Sequence, residues 1–166
     1  LLMNKFHSIG NNDKNIMKRG RKNMCDDLNL LLSNLNVFYR KLQNFHWNVT
    51  GKDFYTVHEK LEEYYNDINE QIDEVAEHII SKDCNVMATM KEYLETAQIK
   101  EAESNKIYSE EIWKEVLEGF EILIENCKKI KEEADSEKAY TTSSLMDDYL
   151  KDYKKKCWMI SQVVGK

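Results

Sequence analysis

Two of the four histidines, His46 and His58, lie twelve residues apart, and each has aromatic residues close by in the sequence. Imidazole is the commonest metal ligand that a protein supplies, so the pair could give two nitrogen ligands to one ion. The simpler interpretation is that both are packed or surface histidines. The two interpretations differ in whether nearby residues can supply oxygen ligands to the same ion.

Carboxylates follow His58 along the helix that is predicted to contain it. His58 and Glu62 are four residues apart, and so are Asp73 and Glu77. At about 100° per residue these four share one stripe of the helix, but His58 and Asp73 are separated by roughly 22 Å along its axis. One copy of the helix therefore cannot gather all four around a single ion.

Two antiparallel copies of the helix can do so if a twofold axis relates them. With the axis halfway between positions 67 and 68, residue n of one copy faces residue 135 − n of the other. His58 then faces Glu77, and Glu62 faces Asp73. An isologous dimer with this register would hold two equivalent sites, each built from both subunits.

The composition of such a site suggests which metal it would bind. His46, at the end of the preceding helix, could reach the His58 side. Two imidazoles with three carboxylates form a mixed N/O set suited to Fe(II), with Zn, Mn or Co as competitors. Trp47, next to His46, could intercept oxidising equivalents. In a chain with 33% charged residues, however, acidic pairs at this spacing are usually a solvated helix face, so spacing alone leaves both interpretations open.

Four long helices are predicted to position these residues. The chain has no proline and only five glycines, so helix breakers are rare. Apolar residues recur every three or four positions in four segments, 26–48, 53–79, 112–130 and 145–164. Asp26 or Asp27 could cap the first helix, and a short helix is expected around Met90–Thr96. The pattern predicts an all-α four-helix bundle with a short helix in the long middle connection, without sheet.

Charge divides the chain near residue 24. Residues 1–24 carry six Lys or Arg against one Asp, a net of +5, so residues 25–166 carry −11 within the total of −6. We expect a basic, flexible N-terminal tail (1–24) on an acidic helical domain (25–166). Such a tail is typical of non-specific DNA binding, although an ordinary solvated terminus is the simpler alternative. One copy would bind DNA weakly unless many copies act together.

Other features narrow the class of protein. No apolar run approaches the ~18 residues of a membrane helix, and the N-terminus lacks the apolar core of a secretory signal. We therefore expect a cytoplasmic protein with no membrane partner. The four cysteines form no CxxC pair, and we expect reduced thiols rather than a disulfide framework or a zinc site at Cys25, Cys84, Cys127 and Cys157.

The segment NFHWNVTGKDFYTVHEKLEEYYNDINEQIDEVAEHI, with MKEYLETAQIKE after it and CWMISQVVG near the end, resembles the Dps family of mini-ferritins. The resemblance covers residues 25–166 and implies a four-helix bundle assembled into a hollow homo-oligomer of twelve subunits. It also implies Fe(II) oxidation at twofold interfaces, with hydrogen peroxide preferred over oxygen, and storage of ferric mineral. By matching position, the family's ligands correspond to His46, His58 and Glu62 of one subunit with Asp73 and Glu77 of its partner.

The chain departs from the family pattern in two places. The family commonly has Asp where Glu62 stands, and the extra methylene of glutamate changes the ligand distance and the metal affinity. Near the start of the last helix the family often lines an iron-entry pore with acids, whereas this chain has Tyr140 and Ser144. The acids closest to these positions are Asp135, Asp147 and Asp148.

Two other functions compete with this interpretation. Larger ferritin-type and rubrerythrin-type di-iron proteins build their sites inside one bundle from Glu-x-x-His motifs, but no histidine here follows a Glu by three residues. A DNA-compacting structural protein with weak or no ferroxidase activity is the second alternative. The basic tail supports it, whereas five retained ligand positions argue against it.

Overall fold

The structure is a computed structural model that describes the backbone of residues 9–165 and the side chains of residues 24–165. The elements within this part of the chain are α1 (Ile9–Asn48), β1 (Val49–Thr50), α2 (Phe54–Ser81), α3 (Met90–Thr96), β2 (Ile107–Tyr108), α4 (Ser109–Ser136) and α5 (Tyr140–Val164). The four long helices and the short α3 confirm the predicted bundle with a short helix in its middle connection.

Helix α1 begins at Ile9, so the predicted helix start at Asp26 is wrong. Residues 1–8 lie outside the described part of the chain, and the rest of the segment interpreted as a flexible tail has helical backbone. Residues 9–24 are mostly polar and show no apolar face that would reveal a helix in the sequence. They also contain no proline, and extending an existing helix costs far less than nucleating a new one.

The core lies where the apolar faces of the long helices meet. On α1 it is formed by residues three or four apart that are fully buried, among them Leu28, Leu31, Leu35, Phe38 and Leu42. Burying a side chain of this size stabilises the fold by roughly 1.5–3 kcal/mol. Because every long helix keeps a polar face, none of the helices between residues 9 and 165 is apolar enough to span a membrane.

Helices α1 and α4 approach each other closely at Gly119. The ring of Phe38 lies over this glycine, and a Cβ atom added there would be 2.7 Å from the Phe38 Cζ atom. Phe38 also packs edge-to-face against Phe120, with 5.1 Å between the ring centroids. A glycine inside a helix costs up to about 1 kcal/mol in propensity, and here it allows the ring to sit between the two helices.

Buried amides attach the long middle connection to the bundle. The Oδ1 atom of Asn34 accepts hydrogen bonds from the backbone N–H groups of Gln98 (2.8 Å) and Ile99 (2.9 Å). Its Nδ2 atom donates to Oδ1 of Asn126 on α4, over 2.7 Å. Because an unpaired buried polar group is costly, this set of satisfied amides specifies where the connection crosses α1 and α4.

A short parallel pairing joins the end of α1 to the start of α4. Val49 of β1 is paired with Ile107 of β2, and Thr50 with Tyr108. The expectation of no sheet is therefore wrong for these four residues, because two-residue strands are too short to show an alternating pattern. Gly51 follows β1 with a φ of +122°, a conformation that favours glycine.

The cysteines differ from the prediction in one pair. Cys25 on α1 and Cys84 after α2 form a disulfide with 6.0 Å between their Cα atoms, so the expectation of reduced thiols is wrong for these two residues. Cys127 and Cys157 are free, as expected. Burial raises the pKa of Cys127 to about 12 and that of Cys157 to about 11, so both remain protonated thiols at neutral pH.

Candidate metal centre

The chain reversal between α1 and α2 brings His46 and His58 together. His46 lies in the last turn of α1, and His58 lies one turn into α2. The turn around Gly51 folds α2 back along α1, so that the imidazole rings stack with their centroids 3.6 Å apart and an interplanar angle of 18°. The predicted histidine pair therefore exists within one chain.

Each of these histidines is oriented by the backbone of the other. The Nδ1 atom of His46 lies 2.7 Å from the carbonyl oxygen of His58, and the Nδ1 atom of His58 lies 2.8 Å from the carbonyl oxygen of His46. A carbonyl oxygen can only accept, so each Nδ1 must carry the proton of the neutral ring. Both Nε2 atoms consequently keep a free lone pair, as in metal-binding histidines whose other nitrogen donates to a carbonyl.

Aromatic side chains enclose the pair. Phe54 stacks on His58 with 4.9 Å between centroids, and Tyr65 packs edge-on against His46 at 5.3 Å. His46 is buried and His58 is half-buried. Phe54 is not among the residues singled out from the sequence, although an aromatic residue one turn before a candidate ligand is a usable signal because residues four apart share a helix face.

Glu62 lies one turn beyond His58 on α2 and is exposed. Burial, the charge of Glu62 and a hydrogen bond with that carboxylate contribute to raising the pKa of Tyr65. Tyr65 thus packs on His46 and lies close to the charge of Glu62. The structure brings the two histidines together and places the Glu62 carboxylate beside an aromatic ring that packs on one of them.

Asp73 and Glu77 are exposed on the same helix, further towards its C-terminal end. The structure does not bring them to the histidine pair. Among the described residues, no group of three or more His, Cys, Asp or Glu side chains is close enough to hold a metal ion. One chain therefore presents two nitrogen ligands and separate exposed carboxylates, and a complete site would need ligands from elsewhere.

Trp47 points away from the bundle. Its side chain is 59% exposed, and the guanidinium carbon of Arg40 lies 5.7 Å from its ring centroid. Together with Asn44 these residues line a surface cavity of about 270 Å³. Trp47, whose predicted role is to intercept oxidising equivalents, is therefore next to His46 in sequence and accessible to solvent.

The remaining histidines lie outside the pair. The Nε2 atom of His78 lies 2.9 Å from the Thr142 hydroxyl oxygen, which confirms that a neighbour satisfies this half-buried side chain. Its burial, together with the nearby charge of Lys82, lowers its pKa. The prediction that His7 is inert falls on a residue outside the described part of the chain.

The acids near Tyr140 are engaged by a lysine. The Nζ atom of Lys131 lies 3.0 Å from Asp147 and 3.4 Å from Asp135. A hydrogen bond from Ser143 and the Lys131 side chain lower the pKa of Asp135. Asp148 is exposed and lies 3.6 Å from the Nζ atom of Lys151, so each of the three acids that could replace a family pore lining has a lysine partner within the chain.

Comparison with known proteins identifies the family of this chain. Residues 25–166 match the Ferritin family, described as a ferritin-like domain. General stress protein 20U of Bacillus subtilis is 38% identical over 138 residues, which cover 83% of this chain and 94% of that protein. The DNA protection during starvation protein of Helicobacter pylori is 33% identical over 124 residues, which cover 75% and 86% of the two chains.

Solved structures give the same result. A Dps protein from Vibrio cholerae O1, described as a member of a broad superfamily of ferritin-like diiron-carboxylate proteins, matches with a TM-score of 0.85 and 35% identity over 88% of this chain and 91% of that one. Antigen TpF1 from Treponema pallidum matches with a TM-score of 0.87 and 30% identity over 89% and 95%. The bundle and the histidine pair thus define a ferritin-like protein. Within that class, the chain belongs to the Dps family.

Proposed function

We propose that this protein is a Dps-type mini-ferritin that oxidises Fe(II) at sites shared between two subunits and stores the ferric product inside a homo-oligomeric cage of twelve subunits. The observation that carries the proposal is the pair of imidazoles whose Nδ1 atoms are both occupied, which leaves both Nε2 atoms free. In each site His46, His58 and Glu62 come from one subunit, and Asp73 and Glu77 come from the partner subunit.

The donor set suits the substrate. Neutral imidazoles bind Fe(II) well, and carboxylates stabilise the more highly charged ferric product. Two Fe(II) ions each give one electron to one hydrogen peroxide molecule, which takes up two protons and leaves as two water molecules. The preference for peroxide over oxygen rests on the resemblance to the Dps family. Zn, Mn or Co would compete for the same ligands.

The chain's own residues prepare the site. The two carbonyl acceptors keep each imidazole in the tautomer that binds metal, and Phe54 and Tyr65 restrict how the rings can turn. Tyr65 lies close to the charge of Glu62, the carboxylate that stands where the family commonly has the shorter aspartate, and can help to orient it. Removing both iron and peroxide suppresses hydroxyl-radical formation, which would protect the cell and its DNA.

DNA binding is the second part of the proposal. Residues 1–24 carry a net charge of +5, and many copies on one cage would multiply weak contacts with phosphate. The names of several relatives, DNA protection during starvation protein, support this role. Acting on DNA would place the protein in the cytoplasm.

The test is to load purified protein with Fe(II) without oxygen, add a peroxide pulse, and follow ferric absorbance together with particle mass. We expect oxidation well above the rate in buffer, in a particle of about twelve subunits. A cage that binds DNA but oxidises iron only at the buffer rate would contradict the ferroxidase proposal and favour a DNA-compacting structural protein. A matched variant with Glu118 and Glu121 of α4, both exposed, changed to Ala should oxidise iron like the parent.

A further inference from the structure

Two large apolar side chains are exposed near opposite ends of α2. Tyr55 is 79% exposed and Ile80 is 58% exposed. At about 100° per residue, Ile80 is in line with Glu62 and Tyr55 is only about 20° away, so both lie within the stripe of proposed ligands. They are about 37 Å apart along the axis and cannot touch within one chain.

The twofold register of the proposed sites also pairs these two residues. An axis that sets His58 opposite Glu77 sets residue n opposite residue 135 − n, and Tyr55 and Ile80 satisfy this relation although they play no part in defining it. We propose that Tyr55 of each subunit packs against Ile80 of the partner subunit, an inference that rests on the proposed function. The two equivalent contacts, here named the Tyr55–Ile80 clasp, would hold the dimer at both ends.

The charge of the stripe explains why an apolar contact is needed. Four carboxylates lie within it, those of Glu59, Glu62, Asp73 and Glu77, and it carries no Lys or Arg. Two copies of this face therefore repel each other until cations bind between them. The clasp supplies an attraction that does not depend on metal, so the dimer can form before iron arrives. At the axis itself Asn66 faces Asn69, and these uncharged amides can pair.

The clasp also lies next to the metal site. Tyr55 is three residues before His58, and Ile80 is three residues after Glu77, which is about 4.5 Å along the axis in each case. The Phe54 ring stacks on His58 and meets the Tyr55 ring edge-on at 5.5 Å. The clasp thus extends the aromatic wall of the histidine pair and closes the outer end of each site against water, which strengthens the electrostatic interactions inside it.

Cysteine cross-linking tests the register. In the full chain, Tyr55→Cys combined with Ile80→Cys is treated with a short thiol–thiol cross-linker and run on a denaturing gel without reducing agent. We expect a covalent dimer well above the background that the native cysteines give in the parent. Tyr55→Cys alone and Ile80→Cys alone should stay at background, because in each single variant the two thiols lie about 37 Å apart along the helix axis. Equal cross-linking in all variants, or none above background, would overturn the proposal.

Charged substitutions at the two positions give a second test of the clasp that does not depend on thiol chemistry. Ile80→Glu alone should weaken the dimer at least tenfold on dilution, because it adds a carboxylate to a face that is already acidic. Adding Tyr55→Arg to that variant should recover most of the loss through an ion pair across the interface. A double variant no stronger than Ile80→Glu alone would overturn the clasp. If both tests fail while the protein still oxidises iron, the clasp is wrong and the proposed function stands. If the dimers cross-link as expected but leave iron unoxidised, the clasp stands and the proposed function is wrong.

Discussion

His46 and His58 each donate a hydrogen bond from Nδ1 to the backbone carbonyl of the other, over 2.7 and 2.8 Å. Because both acceptors belong to the backbone, the orientation of either ring does not require the imidazole of the other. The reversal of the chain between α1 and α2 thus produces two independently oriented imidazoles. Their rings stack with 3.6 Å between the centroids.

Replacing either histidine by Ala should lower metal affinity without unfolding the protein. Each variant loses one nitrogen ligand and retains the carbonyl that orients the other ring, so we expect a loss of at least about tenfold, comparable with the cost of removing even an outer-sphere partner of a metal ligand. Zn(II) titration calorimetry measures this without redox chemistry. His78→Ala is the control, because that side chain binds Thr142 instead; an equal loss there would contradict the assignment.

Asp73→Ala combined with Glu77→Ala should abolish most iron oxidation and leave assembly intact. Both residues are exposed and contribute nothing to the core, and their loss removes repulsion between the facing helices. Peroxide-driven ferric absorbance and particle mass are measured together, with Glu118→Ala and Glu121→Ala as the matched double variant. Undiminished oxidation in the Asp73 and Glu77 variant would show that these carboxylates are not part of the site.

Breaking the Cys25–Cys84 disulfide should destabilise the protein. The bond spans 59 residues of sequence, and the chain-entropy model gives about 4 kcal/mol for a loop of this length. We expect a reducing agent to lower the melting temperature of the parent by several degrees and to have no effect on Cys25→Ser with Cys84→Ser. Cys157→Ser should respond to reduction as the parent does. Identical melting in the presence and absence of reductant would show that the bond contributes nothing.

Much of this architecture can be predicted from the sequence because the buried apolar residues of each long helix recur every three or four positions. The expected short helix and the observed α3 both span Met90–Thr96, and Asp53 precedes α2 as predicted. The extension of α1 to Ile9 cannot be predicted in this way, since the sequence of residues 9–24 shows no continuous apolar face. Trp158 fits the apolar period of α5 but is 61% exposed, and periodicity alone does not show which apolar residues a neighbouring helix covers.

The candidate site, like the fold, can be predicted from the sequence only in part. Residue types and spacing are enough to select the histidines and the acidic residues as candidates, because a helical period determines which side chains share a face. The mutual hydrogen bonds and the Cys25–Cys84 bond join residues whose proximity depends on the turns between elements. Such contacts between segments far apart in sequence carry no local pattern.

Gly119→Ala should destabilise the bundle although alanine is the better helix former. Propensity favours the change by about 1 kcal/mol, but the new methyl group would overlap the Phe38 ring, and overpacking typically costs about 1–3 kcal/mol. Urea unfolding measures the balance. Combining the change with Phe38→Leu should recover part of the loss, since the smaller side chain gives the methyl group room. Additive effects of the two changes would show that they do not interact.

Removing residues 1–22 should weaken DNA binding and leave iron oxidation unchanged. The deletion removes six basic side chains and one acidic one. For every phosphate group that the shortened chain no longer neutralises, the slope of log affinity against log salt concentration should become shallower by about one. Gel shifts at several salt concentrations measure this, with oxidation assayed on the same preparation. An unaltered shift would show that the segment does not bind DNA.

The most direct test of the central claim mixes two inactive variants, His58→Ala and Asp73→Ala with Glu77→Ala, which are dissociated, combined in equal amounts and reassembled. If each site takes its histidines from one subunit and its Asp73 and Glu77 from the other, half of the dimers are mixed, and each mixed dimer has one intact site. We expect recovery of about a quarter of the parent's peroxide-driven oxidation. A mixture as inactive as its components would mean that all the ligands act within one chain, which contradicts the shared site.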